Sequence, residues 1–241
     1  MKNITDIHFI PPEGREKTSS LRTRIVQLIS KLINADCKVD PLPDPNGDMV
    51  TNEQRLNIHH LLSGLFQLNV PGDVVEVGCF EGQTAVQLAK HIQDFQSGRE
   101  LHLYDNFKQK YSVVQNPELA LKENFRSADV PLPVIHKGDF EDTLPGQLPA
   151  TICFSHIDTG AGQPVEQHKL LMLHILAAIY PRLSKGAVCL LMDYHDNRYQ
   201  TGSTDPNPGV KLACDEFLAD KEEEITILYG GYYSHAYFRK L

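Results

Sequence analysis

Short apolar runs alternating with amphipathic stretches set the rhythm of this 241-residue chain. Val74, Val75 and Val77 form a brief β-branched run, and residues 101–105, 134–139, 151–158 and 187–193 repeat the pattern. Runs of this length and content predict strands. Between them, residues 84–90, 117–127, 167–180 and 210–220 carry apolar positions at helical spacing, with Pro181 stopping the third. Strands alternating with helices predict a parallel sheet covered by helices. Residues 225–229 and 233–239 predict two closing strands, and the short link Gly230-Gly231-Tyr232 makes them an antiparallel hairpin at the sheet edge.

Ahead of the first strand the pattern is helical. Leu21, Ile25, Leu28 and Leu32, widened by Ile29 and Ile33, predict an amphipathic helix over 21–35. A second helix runs over 56–68 behind a capping stretch at Thr51–Gln54, and Val70-Pro71-Gly72-Asp73 stops it. Residues 1–20 are polar, with Pro11-Pro12, and read as an irregular arm. The Pro/Gly/Asp-rich stretch 40–48 is a lid over the active face or a plain connector. The chain thus divides into an N-terminal arm, 1–48, and one α/β domain, 49–241.

Within that domain, DVVEVGCFEGQT at 73–84 is the most informative stretch. A strand, a turn bracketed by Gly78 and Gly82, and a helix opening at Thr84 place backbone N–H groups at the carboxyl end of a strand, where small ligands bind. The spacing is E-x-G-x-x-x-G; the dinucleotide fingerprint G-x-G-x-x-G is absent. Glu76 is an acid inside a buried strand and needs a cationic or donor partner. A carboxylate there suits a ligand carrying an ammonium, such as S-adenosylmethionine (SAM). The plain alternative is a generic turn with a capped acid.

Further acids stand at strand ends: Asp105, Asp139, Asp158 and Asp193. One such acid is routine, because Asp caps the next helix. Four of them beside Glu76 point to a ligand site along one edge of the sheet. Asp105 lies ~20 residues past the glycine turn, the spacing at which a carboxylate grips ribose hydroxyls.

Charge and composition remove other classes. The formal net charge is −8 and no strong basic run occurs, so nucleic acid is not an expected partner. No long apolar run or apolar leader is present, so neither a membrane span nor a secretory signal is expected. The cysteines, Cys37, Cys79, Cys153, Cys189 and Cys214, are scattered without a C-x-x-C, as in a cytoplasmic protein with reduced thiols.

With these residues assembled, the chain resembles the macrocin O-methyltransferase (TylF/MycF-like) family over residues 49–241. The likeness is carried by VPGDVVEVGCFEGQT, LYDNF, KGDFEDTLP, the strand end at Asp158, IYPRLSKGA, MDYHD and GVKLACDEF. It implies a class I methyltransferase, Rossmann-like α/β fold: a seven-stranded, mostly parallel sheet with helices on both faces and an antiparallel C-terminal hairpin. It implies SAM as cofactor, with Gly78 and its neighbours facing the methionine portion, Asp105 the ribose, and Asp139 and Phe140 the adenine; Glu76, Cys79, Phe80, Gln83, Thr84, Asn106 and Phe107 complete the expected cofactor-binding set. It implies Mg2+ held by acids after the fourth and fifth strands, which match Asp158 and Asp193. The family's D-D-Y has Met192 at its first acid here, and its D-G-D becomes Asp158-Thr159-Gly160, so Asp196 or His195 is the replacement ligand. The implied reaction is methylation of a sugar hydroxyl on a small-molecule natural product, with Asp158 as a catalytic residue; His195, two residues past Asp193 and of near-neutral reference pKa, is the expected base.

Two other classes compete. A catalytically lapsed SAM-fold binding protein would keep Asp105 and lose metal ligands. An NAD-linked dehydrogenase would use the same sheet but lacks its fingerprint. The N-terminal segment packs on its own domain or on a second subunit of a homo-oligomer; the sequence leaves both open.

Overall fold

The computed structural model describes residues 49–109, 115–160, 162–199, 205–231 and 233–241, together with 25, 28, 29, 31 and 32. The expected arm and the stretch 40–48 lie outside the described residues. Of the expected helix over 21–35, Ile25, Leu28, Ile29, Lys31 and Leu32 are helical and exposed.

The element order is α1(Asn52–Gln67), β1(Asp73–Val77), α2(Gln83–Asp94), β2(Leu101–Asp105), α3(Pro117–Ser127), β3(Val134–Lys137), α4(Phe140–Gln147), β4(Ile152–Ile157), α5(Val165–Ile179), β5(Leu183–Met192), α6(Gly209–Leu218), β6(Thr226–Leu228) and β7(His235–Arg239). The strands form one seven-stranded sheet in the order β3-β2-β1-β4-β5-β7-β6. β3 to β5 are parallel, and β7 inserts antiparallel between β5 and β6. The closing hairpin is therefore as the sequence predicts, with β6 at the edge. Helix α4 is an addition: FEDTLPGQ is short and lacks a clear apolar stripe, and Asp139 at its N-cap makes no side-chain capping bond.

Local chemistry explains the boundaries. Thr51 and Gln54 close a capping box at the start of α1, each side chain bonding the other's backbone N–H. Asn116 caps α3 and Pro117 sits in its first turn, where a missing N–H costs nothing. Consecutive residues of β1 and β4 are buried. Since neighbouring side chains on a strand point to opposite faces, both faces of the sheet are covered. Helices α1, α2 and α3 pack in succession as one group and α4, α5 and α6 as the other. Val74, Val75, Leu103, Phe154, Ile175 and Leu190, each wholly buried, lie in the core between them. No helix among the described residues is long and apolar enough to cross a membrane.

The chain order reverses between β2-β1 and β4-β5. A switch of this kind opens a crevice outside the carboxyl ends of the strands.

Candidate functional site

A cavity of about 490 Å³ occupies that crevice. Its floor is the turn after β1, with Gly78, Cys79, Phe80, Glu81, Gly82, Gln83 and Thr84. Asp105 and Asn106 line it from β2, Asp139 and Phe140 from the end of β3, and Asp158, Thr159 and Gly160 from the end of β4. Met49 and Val50 close it from the N-terminal side, and Gln163, Gln167 and Leu171 from the start of α5.

Gly78 has φ +82, and a Cβ there would sit well inside contact distance of the Asp158 carbonyl oxygen. Only glycine lets the β1 turn pass so close to the end of β4. Phe80, Phe107 and Asp193 also hold positive φ, 46, 55 and 59 respectively, without being glycines. They stand at the carboxyl ends of β1, β2 and β5; Asn69, Gln96 and Asp129 take the same conformation elsewhere among the described residues.

The acids differ in what they do. Asp105 Oδ2 accepts from the backbone N–H of Cys79 and of Phe80, both at 2.9 Å, and Oδ1 accepts from Phe107 N at 2.7 Å. Its carboxylate ties the β1 turn to the β2 loop, and only about one of its roughly four acceptor sites remains for a ligand. Asp139 receives Asn106 Nδ2 at 2.7 Å and Lys108 Nζ at 2.9 Å. The Lys108 ammonium, with Asn106, holds its pKa below the usual carboxylate value.

Glu76 finds the partner that burial demands. His156 Nδ1 on β4 lies 2.9 Å from Glu76 Oε1. Burial still raises the carboxyl pKa, against the pull of His156, and Oε2 has no hydrogen-bond partner beside the cavity. His156 was not legible from spacing: it precedes the β4 acid by two residues, and only strand pairing sets it opposite Glu76.

Asp158 and Asp193 form the second electrostatic feature. Burial raises the pKa of both; Asp105 adds to the rise at Asp158 against the pull of His156, and Asp193 is pushed up to about 7 by burial and by Asp158. Asn207 Nδ2 donates to Asp193 Oδ2 at 2.7 Å and packs against Gly160, leaving no room for a Cβ there. Two half-buried acids with raised pKa values are a place where a hard cation is welcome.

The remaining candidates lie apart from the cavity. Asp196 is held by Arg198, with Nη2 at 2.6 Å, and by Lys211 at 3.6 Å. It does not join Asp158 and Asp193 in a cluster of ligand atoms among the described residues. His195 is buried, with Nδ1 3.0 Å from Ser234 Oγ and Nε2 2.8 Å from Asn197 Oδ1. Neither residue lines the cavity, and nor do Asp193 and Phe107; the other expected cofactor residues and Asp158 all do. Sequence reasoning missed Met49, Val50, Gln163 and Gln167, which carry no motif or spacing signal.

Residues 75–194, just under half of the chain, match the family model described as a methyltransferase domain. No curated protein matches the chain. Among solved structures, the O-methyltransferase NovP is 21% identical with a TM-score of 0.60, over 77% of this chain and 78% of that one. CalS11, a TDP-rhamnose 3'-O-methyltransferase in calicheamicin biosynthesis, is 20% identical with a TM-score of 0.57, over 92% and 95%. The SAH-bound methyltransferase PaMTH1 of Podospora anserina is 16% identical with a TM-score of 0.55, over 90% and 96%. At these identities the likeness is one of fold, and the fold is that of the class I methyltransferases.

Proposed function

We propose that this methyltransferase domain is a SAM-dependent O-methyltransferase acting on a hydroxyl of a small-molecule natural product, most simply a sugar hydroxyl, with Mg2+ as its metal. The observation that carries the reading is the cavity itself: a glycine turn with no room for a Cβ, flanked by Glu76, Asp105, Asp139 and Asp158. The residues fit SAM. Glu76 keeps an unpartnered carboxylate oxygen at the cavity for a cationic group, Asp105 keeps one acceptor site for a hydroxyl, and Phe140 offers a ring beside Asp139. Once bound, SAM supplies an electrophilic methyl on a sulfonium. The donor set also suits Mg2+, with Asp158 and Asp193 offering hard oxygens; bound there, the metal would lower the pKa of a coordinated hydroxyl.

The chain's own groups do the rest. Acceptor and methyl donor must be held in line, and Met49, Val50 and the start of α5 supply walls that bound that space. A hydroxyl must lose its proton as the methyl moves. A carboxylate whose pKa has been raised toward neutrality is a better proton acceptor than an ordinary one. Asp158 lines the cavity and burial raises its pKa, so Asp158 is the group placed to take the proton when no metal holds it. His195 has both ring nitrogens engaged, by Ser234 and Asn197, and stands outside the cavity, so it is not placed to act as the base.

The engagement of Asp196 and His195 favours the competing reading of a SAM-fold binding protein without turnover. Titration calorimetry with SAM and its demethylated product tests the cofactor, and methylation of polyhydroxylated acceptors with and without EDTA tests the chemistry. Binding without turnover of any acceptor supports the binding protein; no binding of either ligand removes both. Activity indifferent to EDTA, to Asp158→Ala and to Asp193→Ala removes both the metal and this acid pair from the chemistry.

A further inference from the structure

The opposite end of the sheet carries a second cluster that the methyltransferase reading does not use. Asp73 opens β1, Glu100 immediately precedes β2, and His102 is its second residue. β1 and β2 are adjacent, with Val75 paired to His102. Asp73 is separated from the glycine turn by the length of β1, ~16 Å at the rise of an extended strand. The carboxylate oxygens of Asp73 and Glu100 and the Nε2 of His102 lie within 4.8 Å of one another.

Each ligand is aimed. Glu100 N–H donates to Asp73 Oδ1 at 3.0 Å, which leaves Asp73 Oδ2 turned toward His102. His102 is 8% exposed, and its Nε2 has no hydrogen-bond partner. That nitrogen lies 4.0 Å from Asp73 Oδ2 and 3.8 Å from Glu100 Oε2, beyond hydrogen-bond reach of both.

A chain of rings fixes which nitrogen is bare. Gln147 Oε1 accepts from His136 Nδ1 at 2.9 Å, so neutral His136 accepts at Nε2. His102 Nδ1, 3.0 Å away, then donates to it, and the lone pair of neutral His102 sits on Nε2. His136 is clamped for this task, stacked on Tyr104 at 4.4 Å and on His102 at 5.3 Å. A buried lone pair facing two carboxylates is a repulsive arrangement unless a cation sits between them. Arg99 does not fill that place: its guanidinium donates to Gly72 O and lies over the Phe66 ring.

We propose that Asp73, Glu100 and His102 bind a divalent cation of the zinc class, with His136 as the group that orients the histidine. A ligating histidine that donates its other N–H to a fixed acceptor is the usual support of such sites. One imidazole and two carboxylates suit zinc and its late first-row neighbours, whereas magnesium prefers oxygen alone. Three protein ligands leave one position for water, and the cation would tie the starts of β1 and β2 together.

The test is equilibrium dialysis of the metal-stripped full chain against Zn2+, with Co2+ as a visible-absorption probe and thermal melting alongside. One zinc per chain is expected, with a raised melting temperature and a cobalt band. His102→Gln and Glu100→Gln should lose at least tenfold in affinity, and His136→Phe ~10–100-fold, the range for groups that orient a ligand. Asp193→Asn should keep the site. Glu100 is exposed, so its variant folds whatever happens at His102, and circular dichroism checks this. No zinc uptake by the wild type, equal uptake by all three variants, or a loss confined to Asp193→Asn would each overturn the proposal.

Discussion

Glu76 on β1 and His156 on β4, eighty positions apart in the chain, meet through a 2.9 Å contact with both side chains 1% exposed. Neither Glu76 Oε2 nor His156 Nε2 has another partner. The contact adds one buried polar side-chain link to the backbone ladder between two central strands. Such a pair stabilises little by forming, but removing one member leaves the other buried and unsatisfied.

His156→Leu should therefore be costly, and Glu76→Gln mild. Breaking a buried pair costs ~3–5 kcal/mol, and a chain of this size loses roughly 2–4 °C per kcal/mol. A drop in melting temperature of about ten degrees is expected for His156→Leu. Gln at 76 still accepts from His156 and should lose much less. Calorimetry of the two variants decides; equal losses would mean that the contact is not what holds these strands.

Two glycines offer an internally controlled pair. Gly78→Ala places a Cβ against the Asp158 carbonyl and in a left-handed conformation, so β1 and β4 must separate at the site. Loss of SAM binding together with several degrees of melting temperature is expected. Gly64 lies inside α1 with open space around its Cα, so Gly64→Ala should stabilise by ~0.5–1 kcal/mol. Calorimetric melting and ligand titration on both variants check this.

Asp193 makes stability depend on pH in a stated direction. Its pKa is pushed up to about 7 in the folded chain, from an ordinary 3.8. Above pH 7 the folded chain carries a buried charge that the unfolded chain bears freely. As pH falls from 7 toward 3.8 the folded chain takes up the proton first, and the penalty fades. Asp193→Asn should melt several degrees above wild type at pH 8, with the gap closing by pH 4–5. Magnesium at pH 8 should raise the wild type's melting temperature and leave the variant's unchanged. A gap that widens on acidification would reverse the assignment.

Asp105→Asn tests whether that residue chiefly builds the loop. An amide can accept at one atom only, and its NH2 would face backbone N–H groups that Asp105 now satisfies. Affinity for SAM should fall about as far in Asp105→Asn as in Asp105→Ala. Retention of affinity in Asn alone would favour a role confined to a ribose hydroxyl. Isothermal titration separates the two.

The sequence by itself determined the alternation of strands and helices, the antiparallel close, the glycine turn and the acids at strand ends. These depend on neighbours two to four residues away, because side-chain direction repeats every two residues in a strand and every 3.6 in a helix. That was enough to place Glu76, Gly78, Asp105, Asp139 and Asp158 around one cavity. What it left open is everything set by strand order. His156 faces Glu76 only because β4 pairs with β1, and Asp193 answers to Asp158 only because β5 pairs with β4. Asp196 and His195 follow the same acid by two or three positions, yet Arg198, Lys211 and Ser234 hold them away from the cavity. The cluster of Asp73, Glu100 and His102 likewise exists only where β1 and β2 start side by side. A local pattern can say that a strand ends in an acid, but which charge lies opposite it is decided when the sheet closes, because burial makes each charge answer to whatever group the neighbouring strand presents.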